Sequence, residues 1–362
     1  MIDAANTVRL LVNGQDFGGW KEVSISAGIE RQARDFTLSV TDRWPGATDI
    51  PRRIRPGDLC EVFIGTDKVL TGYVDATPIS YNAKQVAVGV RGRSKTADLV
   101  DCAAINEPGQ WRNLKLERIA EALAKPYSIT VKNETDTGAV ITDHQIDQGE
   151  TVFESIDRMM RLRHVLSTDN ENGELVFIDV GALRASTALV LGENVKAGSA
   201  DLDYKDRFSE YRAKGQRTVA TDDDGDIAIA ASENANAADT GIKRRRVILF
   251  KQSGQADEGT CRDRVEYERG YRAGKSLAAT YEVAGWRQDT GALWKPNMMV
   301  RVRDSIIGFD QDMLIAEVEY KLSDSGTTTT LKVAPKEGFM TKAAKAKKKE
   351  KSGGGDTWAD VK

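Results

Sequence analysis

The sequence predicts an α+β protein that is mainly β: two similar small β-barrel domains, a middle α+β domain, and a connector of loop and helix. Three observations predict it. A pattern of strands near the start recurs near the end, a central stretch switches to helical spacing, and a charged run separates that stretch from the second set of strands. In the first copy Arg55-Pro56-Gly57-Asp58 leads into Leu59–Ile64, then a turn, then Val69–Asp75, then Tyr81 and the alternating run Gln85–Val90. In the second, Lys295-Pro296-Asn297 leads into Met298–Arg303, a Gly-containing turn, Met313–Tyr320, and Thr328–Val333. Each reads as proline, strand, turn, strand, turn, strand, with the apolar and polar alternation of half-buried antiparallel sheet. The matched spacing predicts that the copies superimpose, with Tyr81 and Tyr320 at related places.

The remaining elements follow in order. Val8–Val12 alternates and meets Asn13-Gly14, a strong hairpin-turn pair. Trp20–Ile25 and Asp35–Val40 complete an N-terminal barrel domain over residues 1–105. From Pro108 the character changes. Asn113 is placed to cap a helix with Leu116, Ile119, Ala120 and Leu123 on one face, and Pro126 stops it. Ser128–Val131 reads as a short strand. Thr151-Val152-Phe153-Glu154 is a capping box, in which the hydroxyl and the carboxylate each satisfy a free amide, and it opens a helix with Phe153, Ile156, Met160 and Leu162 inward. Val165–Thr168 and Leu175–Ile178 pair through an Asn172-Gly173 turn, closing a middle domain over 106–200. Residues 201–275 then hold a returning strand (206–216), an exposed Ala-, Asn-, Asp- and Gly-rich excursion to Gly241, and a charged helix over 257–273. Second-barrel strands occupy 276–340. The Lys- and Gly-rich end, 341–362, has too few apolar residues to pack and is expected to be disordered.

Composition excludes several classes. The 362 residues carry 55 acids and 52 Lys or Arg, for a net charge of −3, and 40% apolar content is ordinary for a globular chain. No run approaches the ~18 apolar residues of a membrane span, and Met1–Asn6 has neither the basic region nor the apolar core of a secretory signal. Cys60, Cys102 and Cys261 are odd in number and far apart, which argues against a disulfide framework or zinc site and suits synthesis in a cytoplasm. Residues 341–362 hold seven lysines against three acids. The chain is therefore an acidic body with a basic tail.

Candidate chemistry is thin, and no catalytic, cofactor or metal residues are assigned. Gly270-Tyr271-Arg272-Ala273-Gly274-Lys275-Ser276 has three residues between its glycines where a phosphate loop needs four, and a helix precedes it where a strand should. A helix-to-strand turn is the better account. Asp222–Asp226 lacks the order and terminal Glu of a calcium loop. His144 and His164 have no ligand partners at metal-binding spacing, and His164 suits a helix C-terminus. No Gly-x-Ser-x-Gly is present; paired carboxylates for glycoside cleavage exist in any acid-rich chain. Lys243-Arg244-Arg245-Arg246 and the tail offer contacts to nucleic acid or acidic protein, but without interleaved aromatics for base stacking. In the tail, Lys347, Lys348 and Lys349 form a basic spacer before Trp358, a lone aromatic suited to anchoring in a partner's pocket.

Several stretches together resemble the baseplate hub proteins of Mu-like contractile-tailed bacteriophages, a late-control tail protein family. They are Leu11-Val12-Asn13-Gly14 with Gly19-Trp20, Pro56-Gly57-Asp58 with Leu70–Asp75, Gly92–Asp101, Pro108-Gly109-Gln110-Trp111, Gly149–Glu154, and Gly285-Trp286-Arg287-Gln288 through Leu293–Asn297. Order and spacing carry the resemblance, which spans nearly the whole chain. It implies a homotrimer whose two barrels per subunit build a pseudo-sixfold ring, adapting a sixfold tail tube to a threefold central spike beside baseplate wedge components. Such a ring would sit in the virion baseplate and form part of the DNA ejection conduit, with DNA passing transiently and without sequence-specific binding. It implies no catalytic residues and no cofactor. Two other functions compete: a phage-like secretion-apparatus hub or spike, and a tail-associated cell-wall hydrolase, for which no inserted segment is long enough.

Overall fold

Alternation sets the first strands. Val8, Leu10 and Val12 are buried along β1 (Val8–Val12), and Asn13-Gly14, both at positive φ, turn the chain into β2 (Gln15–Phe17). The computed structural model describes residues 4–43, 54–81, 85–219, 229–255 and 258–340. Two compact units result, one from residues 1–208 with 269–341, the other built on 209–268.

In the first unit β3 (Glu22–Gly28), β4 (Asp35–Arg43), β5 (Leu59–Ile64), β6 (Asp67–Ala76), β7 (Ile79–Tyr81) and β8 (Gln85–Ser94) follow β2. They lie in the order β3-β4-β8-β6-β5-β1-β2, with β7 also on β8, and every pair is antiparallel. The middle segment supplies α1 (Ala97–Asp101), β9 (Gln110–Leu114), α2 (Leu116–Ala124), β10 (Val131–Asn133), β11 (Ile141–Gln145), α3 (Val152–Arg163), β12 (Leu166–Asp169) and β13 (Leu175–Ile178). Its core joins Leu116, Ile119, Leu123, Ile156, Met160 and Phe177. Thr151 and Glu154 form the expected capping box at the start of α3. Two expectations fail here. Asn113 does not cap α2: it lies in β9 at φ 53, and the cap position is Lys115, which makes no side-chain cap bond. Leu162 is exposed, and Met159, one turn earlier, takes the inward place.

The chain returns through β14 (Leu183–Arg184), β15 (Leu189–Val190) and β16 (Val195–Ala200). The second unit then contributes β17 (Glu210–Val219), β18 (Ile229–Ala238) and β19 (Val247–Gln255), and α4 (Glu258–Lys275) leads to β20 (Ala279–Ala284), β21 (Met298–Asp304), β22 (Phe309–Ser323) and β23 (Gly326–Ala334). The last five strands of the first unit lie as β16-β20-β23-β22-β21. Taken in chain order, β3, β4, β5, β6 and β8 have the same arrangement, β3-β4-β8-β6-β5. Both repeats also carry a register shift where the fourth strand meets the fifth, between Val74 and Ala76 and between Ile315 and Glu317. The repeat seen in sequence is a repeat in topology.

Neither repeat closes into a barrel among the described residues; both belong to one 15-stranded sheet. The cause lies in β22. Its first part, to Leu314, pairs with β21, and after the irregularity its second part, from Glu317 to Leu322, pairs with β3. A bulge bends a strand and raises its twist, so one long strand serves two partners on the same edge, and that edge joins the repeats instead of closing a ring. One apolar core runs through both, including Leu10, Leu38, Leu70, Trp286, Val300 and Leu331.

The second unit is a three-stranded sheet with β17 central, antiparallel to β18 and parallel to β19. Tyr211, Ala213, Ala235 and Ala237 are buried on one face, and the Arg264 guanidinium lies 5.3 Å from the Phe250 ring centroid. The stretch expected as an exposed excursion is, over Ile229–Ala238, a ten-residue strand. Its small residues carry little apolar signal, and full register with β17 holds it. Asp222–Asp226 lies outside the described residues, as do Lys347, Lys348, Lys349 and Trp358. No helix among the described residues is long and apolar enough to cross a membrane.

Candidate partner interface

The first unit is fastened internally by the motifs that stood out in the sequence. Arg287 is the chief staple between the repeats. Its guanidinium pairs with Asp67 at 2.7 Å and donates to the carbonyl oxygens of Ala5 (2.7 Å), Ile64 (3.2 Å) and Gly291 (2.8 Å). Trp286, beside it, is fully buried and donates its indole N–H to the carbonyls of Lys321 (3.0 Å) and Thr328 (3.1 Å). Asn297, at φ 66, accepts from the Gly181 amide (2.7 Å) and donates to the Asp179 carbonyl (2.8 Å), tying the second repeat to the end of the middle segment.

A second clamp holds the β3–β4 connection to the middle segment. Arg34 donates to the Asp169 carboxylate from Nε (3.2 Å) and from its own amide (3.0 Å), and its guanidinium also reaches the carbonyls of Val69 (3.0 Å) and Asp169 (3.1 Å). Burial pushes the Asp169 carboxyl above the usual carboxylate range, opposed by the adjacent Arg34 cation. Gln32 and Ser167 exchange two further bonds. The Asn172-Gly173 turn docks alongside: a Cβ on Gly173 would stand 2.6 Å from the Thr71 carbonyl oxygen, and its φ of +71 already favours glycine.

A cavity of about 310 Å³ opens between these clamps, lined by Arg34, Asp67, Lys68, Glu171, Lys295 and Tyr320 among others. Its charges are largely engaged within the protein: Asp67 with Arg287, Lys68 with Glu61, Arg34 with Asp169. It is a polar seam at the junction rather than a substrate pocket.

Of the residues singled out for chemistry, His144 is buried, with Nε2 2.8 Å from Ser155 Oγ and its ring stacked on Trp111 at 6.0 Å. Burial, then Arg158, lowers its pKa. His164 is the C-cap of α3 at φ 55. Cys60 is core, its thiol pushed up to about 12 by burial and neighbouring acids. Gly270–Ser276 spans the end of α4 at Lys275 and the turn after it, and Gly274 is there for close approach: a Cβ would meet the Gly338 amide nitrogen at 2.2 Å. No cluster of metal-ligating side chains occurs among the described residues.

What the first unit leaves open is edge and surface. Among the described residues β16 pairs with β20 and no other strand and is exposed beyond Val195, and β2, at the other end of the sheet, pairs with β1 alone. Such edges are templates for another strand unless covered. Sequence reasoning missed both, because an edge is defined by neighbours that are absent. Tyr81 and Tyr320, expected at related places, differ sharply: Tyr81 is 81% exposed beside exposed Ile79, while Tyr320 is 4% exposed. Tyr81 lies on β7, past the end of β6 and its register irregularity, whereas Tyr320 lies within β22 itself, beyond the matching irregularity.

The fold is a twice-repeated sheet, and comparison with known proteins gives the class of protein it belongs to. Residues 7–94 match the family described as Mu phage baseplate assembly protein GpP-like, N-terminal; residues 96–179 match baseplate hub protein gp44-like, second domain; residues 258–342 match Mu phage baseplate assembly protein GpP, fourth domain. The chain is similar to the baseplate hub protein gp44 of Escherichia phage Mu, at 36% identity over 96% of this chain and 93% of that protein. The crystal structure of the prophage MuSo2 43 kDa tail protein from Shewanella oneidensis shares the fold at TM-score 0.81 and 33% identity, covering 92% of this chain and 99% of that one. An E. coli type VI secretion component described as similar to T4 tail proteins gp27 and gp5 shares the fold alone, at TM-score 0.55 and 10% identity over 90% of this chain and 76% of that one. The chain belongs to the baseplate hub protein family of Mu-like phages. It is a structural component of the virion tail.

Proposed function

We propose that this hub protein acts as a homotrimeric adaptor between tail tube and central spike, against baseplate wedge components, and forms part of the DNA ejection conduit. The observation that carries the reading is the duplicated strand order within one chain. Two repeats of one strand order per subunit turn three copies into six similar positions, which suits a sixfold tube on one side and a threefold spike on the other. The open β16 and β2 edges support it, because closed cyclic symmetry covers every edge without forming fibres. In this reading residues 1–105 and 276–340 build the ring, 106–200 is the middle domain, 201–275 the connector and 341–362 a docking tail.

The role is assembly, not catalysis: His144 and Ser155, whose side chains meet, are both buried, so that hydroxyl is held away from solvent. A secretion-apparatus role is the second reading, favoured by the shared fold with the type VI component; the far higher identity to a phage Mu protein favours the tail. Mass measurement of the native protein and of tails containing it tests the trimer. Three copies are expected, and a single copy in both would overturn the ring. The tail proposal, with Lys347, Lys348 and Lys349 as spacer and Trp358 as anchor, is tested by deleting residues 341–362: reduced incorporation into tails is expected, and normal incorporation refutes it.

A further inference from the structure

The outer face of the β17–β18–β19 sheet is unusual for a sheet in an acidic chain. Register places Lys214 directly opposite Lys251 on β19 and opposite Asn234 on β18. The neighbouring row is Asn236, Arg212 and Leu249. Lys214, Asn234, Asn236 and Lys251 are exposed, on the side opposite buried Tyr211, Ala213, Ala235 and Ala237. The acid on this face, Glu210, is engaged by Arg212 at 2.5 Å, and among the described residues neither lysine has an ion-pair partner. Like charges directly opposite on adjacent strands are destabilising. The Lys214–Lys251 pairing therefore costs stability in the isolated chain and is relieved by an anion laid across the strands.

We propose that this face binds the phosphodiester backbone of duplex DNA without reading its sequence. The composition favours phosphate over an acidic protein. Lysine is depleted at protein interface cores, and the aromatic anchors that dominate protein–protein affinity are missing here, Leu249 being the single large apolar side chain on the two rows. Lysine, arginine and asparagine are the donors that contact phosphate, and such contacts position DNA without carrying sequence information. The biological setting rests on the conduit reading above; the binding itself is a property of the isolated protein. A face that holds backbone charge weakly and without register suits DNA that moves past it.

The test uses the full chain, a labelled mixed-sequence DNA duplex, and fluorescence anisotropy across a salt series. Wild type is expected to bind with log affinity falling linearly with log salt. K214Q/K251Q is expected to bind more weakly to every duplex sequence and to show a salt slope shallower by ~1.8, at ~0.9 for each phosphate that a lysine no longer neutralises. The lysine-rich tail is present in both proteins, so its share cancels, and a cooperative thermal melt at or above the wild-type midpoint establishes that the variant is folded. Unchanged affinity and slope in a folded variant overturns the proposal. So does loss of polyglutamate binding with DNA binding intact, which assigns the face to an acidic protein. Light scattering on the same samples separates the two readings: a monomer whose DNA binding depends on these lysines sinks the trimer alone, and a trimer indifferent to them sinks this inference alone.

Discussion

Trp286 stands edge-on to Tyr320, with ring centroids 6.4 Å apart and planes at 77°. This is a favoured aromatic geometry, and it sits where the long strand β22 passes from one repeat to the other. The Tyr320 hydroxyl donates to the Trp294 carbonyl, and burial pushes that hydroxyl well above its ordinary pKa. Tyr320→Phe leaves the ring contact and removes the bond, so a stability loss of about 1–2 kcal/mol is expected in denaturant titration. Tyr81→Phe, at an exposed site, is expected to change stability by no more than about 0.5 kcal/mol. Equal losses at the two positions would contradict their different environments.

Asp169 and Arg34 test the clamp between the first repeat and the middle segment. Asp169→Ala removes the buried counter-charge of Arg34, 14% exposed in its side chain, and leaves it a carbonyl-lined site with only the more exposed Glu171, at 3.9 Å, as an ion-pair partner. Breaking a buried pair from one side costs about 3–5 kcal/mol. Asp169→Asn keeps an acceptor for the Arg34 donors and is expected to lose less. The measurement is equilibrium unfolding of both variants beside wild type; an alanine variant as stable as wild type would show that the clamp contributes little.

Much of this architecture was legible in sequence because period-2 alternation is local. Val8, Leu10 and Val12, or Val300 and Val302, announce their buried face without any neighbour. The capping box was legible for the same reason: Thr151 and Glu154 satisfy each other across three residues. What was not legible depended on distant partners. Ile229–Ala238 has few apolar residues and becomes a strand through its pairing with β17. That the repeats merge instead of closing depends on β22 finding β3, nearly three hundred residues upstream. The Lys214–Lys251 row also exists only in register: nothing in the sequence links the two residues, and they meet because β17 and β19 run parallel.

Two glycines of α4, four residues apart, are expected to respond with opposite sign. Gly274 lies against Gly338 so closely that a Cβ would sit 2.2 Å from its nitrogen and 2.6 Å from its Cα. Gly274→Ala therefore forces helix and turn apart, at about 1–3 kcal/mol. Gly270 has only the Glu337 Cβ near, at 3.7 Å, so alanine fits. There it is expected to stabilise by up to ~1 kcal/mol through helix propensity. Melting curves of the two variants decide it, and a stable Gly274→Ala protein would remove the close approach as the reason for that glycine.

The buried imidazole of His144 should make stability fall on the acid side of neutrality. Its pKa is lowered in the folded protein, first by burial and then by Arg158, while Glu150, Asp147 and Asp143 pull the other way. Unfolded, it titrates near its ordinary value of about 6.5. The folded state therefore binds the proton less readily than the unfolded chain. His144 contributes stability that is fully present above about pH 6.5 and is lost as pH falls from there through the folded pKa. Protonation makes Nε2 a donor, so Ser155 Oγ, 2.8 Å away, must then act as acceptor. Thermal melts from pH 7.5 down to pH 5 should show a decline that His144→Gln flattens, because glutamine keeps a polar group near Ser155 without a charge to gain. A variant whose melting temperature follows the wild-type curve through that window would assign the decline to carboxylates instead.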